Sequence, residues 1–214
     1  MQETFIGHRF KFINSEKIGI TLELNSLSND NKAKKYSISY DNESKIDTVN
    51  QDQIILGEKI SKIDFFLRLV RDIQSNDDQT REYASSTLCD FLEFDTQDFN
   101  LEVLENGIDI IIEQIKIEKN INVEQKLVEG IFEFIWLKRI TKIKEIGLLE
   151  RLTEIDKYYI WSYLGDEITE DVDGYNSEKL NDYYSKNIEK WKEKDILMYG
   201  EEKMNEYTNK PLCN

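Results

Sequence analysis

The spacing of apolar residues changes period once along this chain, near residue 57, and that change constrains the fold more than any other feature. Up to residue 57, apolar and polar side chains alternate. Phe10 and Phe12 flank Lys11; Ile18, Ile20, Leu22 and Leu24 enclose Gly19, Thr21 and Glu23; Tyr36, Ile38 and Tyr40 enclose Ser37 and Ser39. Successive side chains of a strand point to opposite faces, so a period of two predicts antiparallel strands packed on one side. Asn14-Ser15-Glu16 suits a tight turn and Ser28 to Lys35 a longer loop, while Ile54 to Leu56 adds a short fourth strand.

From about residue 58 the period becomes helical. Ile60, Ile63, Phe66, Leu67, Val70 and Ile73 form a broad stripe. The loop Ser75-Asn76-Asp77-Asp78 offers N-cap residues for a second helix with Ala84, Leu88, Phe91 and Leu92 inward. A third helix begins near Leu101 and turns Leu104, Ile108, Ile111, Ile112 and Ile115 inward. The fourth, from about Val123 to Ile140, is apolar nearly all round and belongs at the centre. Further helices are expected over 145–164, 177–195 and 200–208, and the single proline, Pro211, lies beyond them all.

A faint repeat links these helices. Phe66, Leu69, Val70 and Ile73 recur 42 residues later as Ile108, Ile111, Ile112 and Ile115. Ala84, Leu88, Asp90, Phe91 and Leu92 recur 43 residues later as Leu127, Ile131, Glu133, Phe134 and Ile135. That spacing lies in the range of stacked helix pairs. The expected class is therefore α+β, mainly α: stacked helical hairpins, HEAT-like at most, with a small N-terminal antiparallel β-sheet. Residues 1–57 would form the sheet and 58–214 a helical domain, either separate from the sheet or continuous with it.

Catalytic equipment is scarce. The one histidine, His8, lies among alternating residues and reads as a surface or packing side chain. Cys89 has no nearby base in its helix to lower its pKa and reads as a small core residue. Zinc needs clustered Cys or His, and phosphate loops and nucleophile elbows have signatures that this chain lacks. Thr169-Glu170-Asp171-Val172-Asp173-Gly174 has part of a calcium-loop pattern. With Gly174 at the sixth position, however, Thr169 and Leu180 occupy the first and twelfth, where carboxylates are needed. The expectation is no catalytic residue, no metal and no cofactor.

Charge is the more informative signal. With 43 acids against 28 bases the chain carries −15, which disfavours direct contact with nucleic acid or an anionic membrane surface and favours a basic partner. Three Trp, ten Phe and eleven Tyr are too many for a disordered polyelectrolyte, so the chain folds. The first residues lack a basic and then apolar leader, and no apolar run approaches a bilayer span, so the cytoplasm is the expected address.

The negative charge is concentrated. No Lys or Arg occurs from Glu82 to Ile115, a window holding Asp90 and Glu93 and then Glu102, Glu105, Asp109 and Glu113 at spacings that place the last four on one helix face. Like charges at such spacing destabilise a helix by roughly a few tenths of a kcal/mol per pair. A second base-free window, Tyr158 to Glu178, combines Tyr158, Tyr159 and Trp161 with Asp166, Glu167, Glu170 and Asp171. Acidic faces are most often merely solvated, and aromatics at helical spacing are most often core. Acids beside aromatics are also the composition of a surface for a cationic partner.

A small acidic chain with a helical array and these two windows resembles the immunity proteins of bacterial polymorphic and contact-dependent toxins. The resemblance is one of general character, carried by the Glu102–Glu113 row and the Tyr158–Tyr175 stretch rather than by a signature motif. It implies tight binding of a cognate toxin domain, often a basic nuclease, through the acidic and aromatic residues just named. A phage-type mimic of nucleic acid aimed at a defence nuclease would share the acidity but space its charges like phosphates. A HEAT-like scaffold would carry a peptide groove instead, and a carboxylate enzyme would be stabilised by a divalent metal.

Overall fold

The computed structural model describes residues 7–25, 35–94, 99–136, 140–170 and 177–199. The α+β, mainly helical class expected from the change of period is the one observed. Among the described residues, five antiparallel strands precede seven α-helices. Packing divides the chain into two compact units, Met1–Arg139 and Ile140–Asn214. The change of period near residue 57 thus marks a change of secondary structure inside the first unit.

Strands β1 (His8–Phe12), β2 (Ile18–Asn25), β3 (Lys35–Tyr40), β4 (Ile46–Asn50) and β5 (Ile54–Lys59) form one sheet in the order β4-β3-β2-β1-β5. The sequence reading missed β4. Its alternation is hidden because Asp47 takes an inward position opposite Ile38, where Tyr40 Oη donates to it at 3.0 Å and Lys45 pairs with it at 3.0 Å. Phe10, Ile38, Tyr40, Val49 and Ile54 bury together on that face.

The expectation of a sheet packed on one side is corrected by the other face, where Ile20, Ser37 and Ser39 are also buried. The reason is a polar joint to the first helix, α1 (Lys62–Asp72). Ser39 Oγ donates to the fully buried Asp72 at 2.5 Å, and Arg71 reaches the same carboxylate through Nε at 2.8 Å. Arg71 and Arg68 also donate to the Tyr40 carbonyl at 2.8 and 2.6 Å. Burial pushes the Asp72 carboxyl above its ordinary range, while Ser39, Arg71 and Arg68 pull it back. Hydroxyls that looked solvent-facing are inside because a partner waits there.

Ser61 caps α1 by accepting from Asp64 N. Phe66, Val70 and Ile73 bury as the stripe predicts, but Ile63 and Leu67 are 38% and 48% exposed, and Phe65 and Leu69 take inward places. The apolar arc of α1 is wider than its contact. Helices α2 (Asp78–Phe94), α3 (Leu101–Ile117) and α4 (Ile121–Trp136) follow, with Asp77 accepting from Thr80 N ahead of α2 and Asn100 capping α3. Every inward residue expected of α2 and α3 is buried, and α4 buries Phe132 and Phe134 as well as Leu127, Val128, Ile131 and Ile135. α2 packs on α4 and α1 on α3, so the two hairpins α1–α2 and α3–α4 stack as the 42- and 43-residue offsets imply.

The second unit contains α5 (Lys142–Leu152), α6 (Tyr158–Glu170) and α7 (Glu178–Tyr199), each packed on the other two. The single helix expected over 145–164 is broken after Leu152. Thr153 Oγ1 donates back to the Glu150 carbonyl at 2.7 Å, and Ile155 turns inward in the connection. The loop expected from Ser28 lies outside the described residues until Lys35 opens β3, as does the helix expected near 200–208. Among the described residues, no helix is long and apolar enough to cross a membrane.

Candidate functional site

On α3 the acids stand as their spacing predicts. Glu102, Asp109 and Glu113 are exposed and Glu105 is half-buried. Lys116 Nζ pairs with Glu113 at 2.6 Å, so the last member of the row has an intrahelical counter-ion. The row has an apolar border that sequence reasoning missed. Ile110 and Ile117 are 38% and 70% exposed, and they line a recess of ≈ 280 Å³ with Gln74, Asp109, Glu113 and Gln114. A signal for it existed in the run Ile110-Ile111-Ile112, because three consecutive side chains sweep past the single buried face of an amphipathic helix such as α3.

Asp90 and Glu93 do not join this row. They lie on α2, which packs on α4, and Glu93 and Glu129 together bear on Glu133. Burial, and then the charges of Glu93 and Glu129, push the Glu133 carboxyl up. Lys126 answers with an ion pair to Glu129 at 2.6 Å. Glu129 and Glu133 follow the base-free window, so the sequence offers Glu133 only as the repeat counterpart of Asp90 and neither as a site residue. Among the described residues, no group of three or more His, Cys, Asp or Glu is placed to hold a metal ion. Cys89, beside this cluster, is buried, and burial pushes its thiol up to about 12. His8 is half-buried, its backbone N–H donating to Thr21 Oγ1 at 2.9 Å.

The aromatic window of α6 is largely spent on packing within the second unit. Trp161 lies tilted by 33° against Trp191, with centroids 5.9 Å apart, and Trp191 Nε1 donates to the Trp161 carbonyl at 3.2 Å. Gly165 permits this approach, since a Cβ there would lie 2.6 Å from the Trp191 indole nitrogen. Tyr183 and Tyr184 flank the same buried indole. Tyr158 is 59% exposed, while Tyr159 and Trp161 are half-buried. The window lacks bases in sequence but not in space, because Lys194 of α7 lies 5.6 Å over the Trp161 ring. Asp166 is exposed and Glu167 half-buried; Asp171 and the side chain of Glu170 lie outside the described residues.

The geometry therefore offers an acceptor-rich, partly apolar face on α3, an acidic α2/α4 cluster, and one exposed ring on α6. Comparison with protein-family models, curated proteins and solved structures finds no match for this chain.

Proposed function

We propose that this chain is a cytoplasmic immunity protein that binds and neutralises a cognate, basic toxin domain, with the α3 face as the centre of contact. The observation that carries the reading is the adjacency of the Glu102–Glu113 row to exposed Ile110 and Ile117. A toxin cleft built for phosphates is positive. An acidic surface occupies such a cleft, gains fast association by steering and excludes substrate. Apolar anchors beside the acids favour a protein partner over mimicry of a phosphate backbone, which needs charge alone.

The test requires a toxin domain encoded by a gene neighbouring that of this chain and uses that purified domain as the partner. Glu105→Lys with Asp109→Lys is expected to slow association about tenfold or more at low salt and to flatten its salt dependence. Stopped-flow mixing of the two purified proteins reads both quantities. Association rates that match the parent protein in low salt remove this face from the interface. Failure of the parent chain to bind or protect against that toxin sinks the immunity reading itself.

A further inference from the structure

We draw no further inference here: the strongest candidate, the surface patch of Ile18 and Ile55 flanking Lys11 beside the outer edge of β5, carries nothing because nothing in the structure shows what covers that apolar face.

Discussion

Replacing Glu118 with alanine is expected to destabilise the Met1–Arg139 unit by about 3–5 kcal/mol, the usual effect of removing one partner from a buried ion pair. Glu118 closes α3 just before α4 begins, and its side chain is 2% exposed. It accepts from Arg81 Nε at 2.9 Å, from Gln114 Nε2 at 2.9 Å, and from the backbone N–H groups of Lys119 and Asn120 at 2.9 Å each. Arg81 belongs to α2 and its side chain is itself 13% exposed, so alanine would leave a largely enclosed guanidinium with only the exposed Asp78 as counter-charge. The carboxylate is a rivet between the first hairpin and the second. Amide exchange in the full chain reads the effect locally, as lost protection in α2, α3 and α4. Protection there unchanged to within about 1 kcal/mol would show that the pair is replaceable.

The same residue predicts a pH dependence with a definite sign. Burial alone pushes the Glu118 carboxyl up, but donors from Asn120, Arg81, Gln114 and Lys119 outweigh it and hold the group below its ordinary value of 4.5. A carboxyl lowered by folding contributes stability that is present above its unfolded value and is lost as pH falls through its folded one. Protection in α2–α4 should therefore decline from about pH 5 downward. Glu118→Gln should be less protected at neutral pH and flatter through the acid range. A glutamine variant with the parent's acid limb would assign that limb to other groups.

Phe66→Ala is expected to cost about 3–5 kcal/mol, and Gly107→Ala about 1–3 kcal/mol. Phe66 is fully buried, with its ring 5.6 Å from Phe91 and 5.3 Å from Phe99 between centroids. It reaches α3 through the place a side chain would occupy at Gly107, where a Cβ would collide with the ring. Glycine inside a helix costs about 1 kcal/mol relative to alanine, so its presence at 107 is explained by this contact. The two losses should not add. Once the ring is gone, Gly107→Ala fills space and restores helix propensity, so the double variant should be more stable than Phe66→Ala alone. Denaturant titration of the four proteins measures the coupling. Additive losses would mean that the ring and the glycine do not meet.

The acidic row and its border divide along the same line. Spacing along one helix placed Glu102, Glu105, Asp109 and Glu113 together without any knowledge of tertiary structure, because a helix face is a local property. Asp90 and Glu93 looked continuous with that row in sequence, yet they lie on α2, where Glu93 faces acids of α4. The aromatic stretch from Tyr158 read as a surface and turned out to supply much of the α6/α7 packing, with Trp191 as the buried centre. Ile63, Leu67, Ile110 and Ile117 read as core or were passed over, because hydropathy does not say which of two apolar flanks of a helix finds a neighbour.

What the sequence by itself determined is periodic: strands before residue 60, helices after it, two helix pairs in near-repeat, and an acid-only face on α3. Period and charge spacing survive in any fold because they depend on residues a few positions apart. The tertiary structure alone decided that Ser39 and Asp72 are buried, that Asp47 hides an edge strand, and that α1 leaves Ile63 and Leu67 outside. The first turns on contacts 31 and 33 residues apart, Arg71 with Tyr40 and Ser39 with Asp72, the second on Asp47 lying opposite Ile38, and the third on which flank of α1 the fold covers. Burial is a property of pairs brought together by the fold, and no local pattern encodes which pairs those are.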